Sequence, residues 1–235
     1  MAYKNTGDIY EEKIFNLCEV NGIIAPGSTR AGAESNAPDI KFLHRNRIYK
    51  LEVKNNKGPD YGQKRVHFDP SNHQWSWAAN DKVTEFYNAL NLLNLIDKNF
   101  IPIWYQKRIK VAGKYTEKSE YTMSDFKSDQ TNFENAKNPV PTDALFKYYS
   151  NRNTFYIQIE GSGFYYLEKD IASLNVPQYD GKLSIRFRVK HTGHTKHPPH
   201  ACQFLGALKQ EILPTPSSYN LESNSTQKFP NILKI

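Results

Sequence analysis

PDIKFLHRNRIYKLEVK, residues 38–54, is the stretch that decides how this chain folds. Asp39 to Leu43 reads as a short strand, and His44-Arg45-Asn46 as the turn after it. Arg47 to Lys54 alternates, with Tyr49, Leu51 and Val53 on one face. Residues two apart in a strand share a face, so Glu52 and Lys54 point together on the other. Asp39 opens the neighbouring strand of the hairpin, where its carboxylate can approach Glu52. Two carboxylates and a lysine are expected to meet on the polar face of an otherwise apolar sheet.

Working outward, Asp8 to Asn21 reads as a helix, with Tyr10, Ile14, Leu17 and Cys18 at helical spacing and Gly22 as its stop. Residues 25–38 are a small-residue loop. Residues 81–98 carry Val83, Phe86, Tyr87, Leu90, Leu93 and Ile96 at helical spacing, and Ile101 to Tyr105 reads as a buried strand. Residues 111–141 are polar and irregular, either an inserted subdomain or a loop. A short helix is expected over Asp143 to Tyr149. Strands are expected through Phe155, Ile157 and Ile159, over Phe164 to Leu167 after a Gly-Ser-Gly turn, and over Leu183 to Lys190. Ala201 to Ile212 reads as a short helix and 213–235 as a tail. This order points to α/β or α+β.

The chain has 235 residues and a formal charge of +7, enough length to bury a sizeable core. At 13% aromatic residues it is not a disordered chain. Its most apolar stretch, Ala89 to Ile96, is broken by two asparagines and is too short to span a bilayer. The N-terminal residues contain no apolar run of the secretory kind. Two cysteines, Cys18 and Cys202, cannot build a disulfide framework, so a reducing, cytoplasmic setting is expected. The positive charge is gathered. Residues 41–66, 105–118 and 182–197 carry +6, +4 and +5, which leaves −8 on the rest. Such patches form an electrostatic footprint for a polyanion.

That footprint gives the hairpin its chemistry. Pro-Asp recurs at 59–60 and E-x-K at 11–13, so the weight lies in the placement of Asp39, Glu52 and Lys54 and not in the bare motif. Hard oxygen donors, here Asp39, Glu52 and the Val53 carbonyl, favour Mg²⁺. Such a metal neutralises a phosphodiester and lowers the pKa of a bound water. Lys54 can position or deprotonate that water and stabilise the developing charge.

Asp8-x-x-Glu11, Gly22, the loop from Gly27, Pro38-Asp39-Ile40 and Leu51-Glu52-Val53-Lys54 together resemble the PD-(D/E)xK nuclease superfamily. The likeness is to type II restriction endonucleases and to the core of Holliday-junction resolvases, and it covers about residues 8–63. It implies a restriction-endonuclease-like mixed central sheet flanked by helices, here with a β-rich C-terminal extension. It implies metal ligands Asp39 and Glu52, catalytic Lys54, and an accessory acid from the first helix, Glu11 or alternatively Glu12. Gln63 falls where relatives place a polar helper. By analogy, residues 1–110 would be the nuclease core, 111–212 an extension that completes the domain and contacts DNA, and 213–235 the tail.

Leu183 to Lys190 has one apolar face and one cationic face, Arg186, Arg188 and Lys190, suited to phosphates or to guanine edges. His191 and His194 begin a histidine run whose prolines and spacing fit a phosphate-contacting loop better than a zinc site. Arg30, Lys57, Lys64 and Arg65 near the hairpin, and Lys107 and Arg108 beyond it, complete the expected DNA contacts. The expected protein is a Mg²⁺-dependent endonuclease on double-stranded DNA, acting as a homodimer on a short palindrome, with no small-molecule cofactor and no membrane partner. A structure-specific nuclease and a non-catalytic DNA-binding protein are the rivals.

Overall fold

In the computed structural model the described residues are 6–28, 39–58, 60–107, 110–111, 114–115, 121–134, 137–192 and 201–222. They form a mixed α+β protein with five α-helices, a four-stranded sheet, a five-stranded sheet and a two-stranded ribbon. The chain divides into two compact units. The first is Met1–Pro59, Val140–Leu183 and Gln210–Ile235; the second is Asp60–Pro139 and Ser184–Lys209. These units do not follow a linear division at residues 110 and 212. The reason is strand pairing: the partner of the hairpin's second strand comes from beyond residue 150.

In the first unit, helix α1 (Thr6–Val20) precedes strands β1 (Ile40–His44) and β2 (Arg47–Lys54). Arg45 and Asn46 both have positive φ, the two-residue turn whose twist suits a hairpin. The antiparallel register pairs Ile40 with Leu51 and His44 with Arg47. Helix α5 (Thr142–Ser150) leads into β8 (Thr154–Ile159), which lies parallel to β2 and antiparallel to β9 (Gly163–Tyr166). The sheet order is β1-β2-β8-β9. Tyr10, Ile14 and Cys18 of α1 share one core cluster with Ile40, Phe42, Leu51, Val53 and Tyr156.

Residues 213–222 are a tail ordered by contact with this unit. The buried amide of Gln158 accepts from Leu221 N at 3.1 Å and donates to Asn220 Oδ1 at 2.9 Å and to the Tyr10 hydroxyl at 3.2 Å. Tyr10 in turn donates to Glu222. Gly163 has φ +120°, and a Cβ there would lie 2.6 Å from the Tyr219 carbonyl, so only glycine admits this close approach.

In the second unit, β3 (Asp60–Asp69), β4 (Gln74–Trp77), β7 (Lys137–Val140), β10 (Lys182–Thr192) and β11 (Ala201–Ile212) order as β4-β3-β11-β10-β7. Helices α2 (Lys82–Ala89), α3 (Ile103–Gln106) and α4 (Met123–Glu134) belong to this unit too. So does the ribbon β5 (Lys110–Val111) and β6 (Lys114–Tyr115). Its core is a ring cluster: Phe133 lies 5.0 Å from Trp75, 5.1 Å from Phe187 and 5.0 Å from Phe204.

Three expectations are corrected here. The helix expected over 81–98 stops at Ala89, because Asn91 turns left-handed and only a 3₁₀ turn, Leu92–Leu95, follows. Ile101 to Tyr105 is no strand; Pro102 starts the short α3. Ala201 to Ile212 is strand β11, not a helix. Phe204, Leu205, Ala207 and Leu208 are buried on both faces, so the alternation that marks a strand is missing. Gly206 lets β11 pass close to Trp77, where a Cβ would meet the indole at 2.7 Å.

Candidate active site

Strand β2 is internal to its sheet, and its second half, Leu51 to Val53, is buried on both faces. Leu51 and Val53 face the α1 cluster. Glu52, on the opposite face, is only 7% exposed. The expected polar face is therefore a buried pocket of charge and not a solvated one. What fills it is the hairpin's own set. Lys54 Nζ lies 2.7 Å from Glu52 Oε1 and 3.7 Å from Asp39 Oδ2. The Val53 amide donates to the same Asp39 oxygen at 2.7 Å, which ties the start of β1 to the end of β2. The register makes this contact, because Asp39 precedes Ile40, the residue opposite Leu51.

The electrostatics follow from burial. Asp39 is pushed up to about 7, first by loss of solvent, then by the charge of Glu52, with Glu11 adding; Lys54 and the Val53 N–H pull the other way. For Lys54 burial opposes the ammonium, but Asp39, Glu52 and Glu11 outweigh it and hold the lysine above its usual range. The charge of Glu11, on α1, thus reaches both groups.

Helix α5 supplies side chains that sequence reasoning missed. Tyr149 donates to Glu52 Oε1 at 3.4 Å. Tyr148 accepts from Arg152 Nη1 at 2.7 Å, and burial, then the charge of Glu52 acting against that of Arg152, pushes its phenol up to about 12. Leu145, Tyr148 and Tyr149 do mark the helix's buried face by their 3–4 spacing. Nothing local said which buried charge that face would meet.

Other expected residues take different places. Gln63 lies in the second unit, where its Oε1 accepts from Lys190 Nζ at 2.7 Å. In that unit Lys64 pairs with Asp81, the N-cap of α2, and Lys107 pairs with Asp125 at 2.7 Å. Arg186 and Arg188 both hold Asp60. His191 meets the Phe126 ring edge-on at 4.7 Å. Lys57 and Arg65 are exposed. Arg30, Arg108 and His194 fall outside the described residues.

The donor set fits a hard dication. Asp39 and Glu52 are oxygen donors crowded together under burial, a situation that added positive charge relieves. Among the described residues no group of three His, Cys, Asp or Glu side chains forms a complete cage, so the remaining positions of a Mg²⁺ ion would fall to water and phosphate, as this ion favours. The Val53 carbonyl stays a proposed ligand; the contact drawn here for Val53 is through its N–H.

A pH dependence follows. The folded value of Asp39 lies above the ordinary carboxylate value of 3.8. Its stabilising contribution is therefore complete below 3.8 and is lost as pH rises through about 7. Without divalent metal, the melting temperature is expected to fall between about pH 4 and pH 7, with a shallower fall in Asp39→Asn. Added Mg²⁺ displaces the proton, so its stabilising effect should grow over the same range. Thermal melts of both proteins with and without Mg²⁺ check this, and equal slopes would remove Asp39 as the titrating group.

No family model, curated protein or solved structure matches the chain.

Proposed function

We propose that this protein is a Mg²⁺-dependent endonuclease that hydrolyses phosphodiester bonds in double-stranded DNA, of the type II restriction kind and with a restriction-endonuclease-like first unit. One observation carries the reading: Lys54 lies 2.7 Å from the buried Glu52 and 3.7 Å from Asp39, itself 14% exposed, at the end of a hairpin, with a third acidic charge from Glu11 acting on them. A structural ion pair needs one carboxylate per lysine. Three acidic charges, Asp39, Glu52 and Glu11, set against the two cations Lys54 and Arg152 suit a site that takes up a metal ion and an anionic substrate. The mixed sheet, with α1 on its Leu51 face and α5 meeting Glu52, supports the same reading.

Asp39 and Glu52 would hold Mg²⁺, which when bound offsets phosphate charge and acidifies a water. The Val53 amide fixes the Asp39 carboxylate, leaving Oδ1 as the oxygen not used in that bond. Lys54 is kept protonated by its neighbours, so in this state it acts by charge, orienting the nucleophile and meeting negative charge that builds on the phosphate. Taking a proton from water requires that its carboxylate partners first be engaged by the metal. Tyr149 steadies Glu52. One such site cuts one strand, so a two-fold homodimer on a palindrome is the proposed assembly, in the cytoplasm.

The test is digestion of a long linear DNA of known sequence with Mg²⁺. Discrete fragments are expected. Cutting only of four-way or flapped DNA would favour a structure-specific nuclease, and salt-sensitive binding without cleavage a non-catalytic protein.

A further inference from the structure

The five-stranded sheet holds an acid where a DNA-tracking surface should have none. Arg186, Arg188 and Lys190 lie two apart on β10 and so share a face. Asp60 opens β3, and β11 lies between the two strands. Its carboxylate nevertheless engages both arginines. Oδ1 accepts from Arg186 Nε at 3.0 Å and from Nη2 at 2.6 Å, and Oδ2 accepts from Arg188 Nη1. The Asp60 side chain is 9% exposed, against 20% for Arg186 and 31% for Arg188. Lys190, further along, is exposed and donates to Gln63. The face therefore runs from an anchored, less exposed inner end to an exposed outer end.

Phosphate contact and base reading make opposite demands on such a face. A phosphate is drawn by net positive charge, and a carboxylate between two guanidiniums weakens that pull and repels the ligand. A guanine edge offers neutral acceptors, O6 and N7, and rewards a guanidinium held in one plane. Arg carries about 2 kcal/mol of side-chain rotamer freedom, which a partner can remove before binding. Asp60 engages Arg186 through two N–H groups and Arg188 through one, while each guanidinium carries five. Donors remain on both for a second, outward partner.

We infer that Asp60 is a positioning residue that presets Arg186 and Arg188 to read guanine edges in the major groove of duplex DNA. The inference rests on the DNA reading above and deepens it: the second unit would supply sequence discrimination through this clamp. β10 lies next to β11, and the major groove admits a pair of strands.

The experiment is selection from a pool of random-sequence duplexes by the full-length protein in EDTA, followed by sequencing of the bound fraction and by a salt titration of binding. The parent is expected to enrich sites with guanine at fixed positions, preferred by about tenfold or more over other bases. Asp60→Asn is expected to bind the pool at least as tightly, with a steeper salt dependence, and with the guanine preference reduced to about twofold. Arg186→Lys keeps the charge and the pairing with Asp60 but lacks the planar fork. It serves where Asp60→Asn folds poorly, and is expected to hold overall affinity within about threefold while losing the preference at one position. A guanine preference unchanged in both variants overturns the inference. A parent that binds duplex without sequence preference overturns it alone. A parent that binds no duplex overturns the DNA reading as well.

Discussion

Lys54→Met is expected to lower the rate of plasmid cleavage by about 10³-fold or more while the protein stays folded. The lysine pairs with both Asp39 and Glu52. Removing it leaves two crowded carboxylates with Arg152 acting on Glu52, which would cost about 3–5 kcal/mol if both stayed ionised. They need not. Asp39 already sits near 7, and without Lys54 it moves higher and keeps its proton at neutral pH. The fold survives by neutralising the group that the metal needs, so chemistry and metal affinity fall together. Asp39→Asn separates the two effects. The asparagine oxygen can still accept from the Val53 amide, so the hairpin keeps its closure. Lys54 keeps Glu52 as a partner at 2.7 Å. Its loss of cleavage should match that of Lys54→Met in size, through loss of a metal ligand. Rates on supercoiled plasmid with Mg²⁺, with circular-dichroism melts alongside, check both variants. Rates within tenfold of the parent for both would end the assignment of this site.

Asp129→Ala is expected to destabilise the protein by about 3–5 kcal/mol. Asp129 on α4 is fully buried. It accepts from Ile103 N at 2.7 Å, Trp104 N at 2.9 Å and the Tyr121 hydroxyl at 2.9 Å. The first two are amides at the start of α3, a helix whose own N-cap position is Pro102 and offers no side-chain acceptor. Alanine would remove the acceptor from all three bonds. Burial pushes the Asp129 carboxyl above the ordinary range even against those three hydrogen bonds, so it is held at a cost. Asp129→Asn keeps shape and one acceptor oxygen and should lose about half as much. Urea denaturation measures both, and a loss below about 1 kcal/mol for alanine would remove the capping role.

Asp129 also shows why some of this protein could not be read in advance. In MSDFKSDQTNFE it looks like one polar residue among many on a solvated helix. Its burial is decided by α3, about 25 residues earlier in the chain. The failed elements have related causes. Ala201 to Ile212 lost its alternation because β11 is covered on both faces, and a continuous apolar run has no period of its own. Residues 81–98 kept a helical spacing past the point where Asn91 breaks the backbone. By contrast β1, β2 and their turn were legible, since a hairpin is a local object whose turn residues and alternation lie within 16 positions of one another.

The candidate site divides along the same line. Asp39, Glu52 and Lys54 were legible because the hairpin register alone brings them together. Tyr148, Tyr149 and Arg152 were not, since they reach Glu52 through the parallel pairing of β2 with β8, across a hundred residues of chain. The clustered charge that first marked the chain as a partner for a polyanion is likewise reshaped by folding. Lys64, Lys107, Arg186 and Arg188 each pair with an aspartate, Asp81, Asp125 or Asp60. The sequence by itself determined the hairpin, the acids and lysine on one strand face, and where cationic side chains concentrate. Only the tertiary structure decided that this face is buried, which shifts its ionisation, and which cations are held by acids, because solvent exclusion and charge pairing depend on segments far apart in the chain.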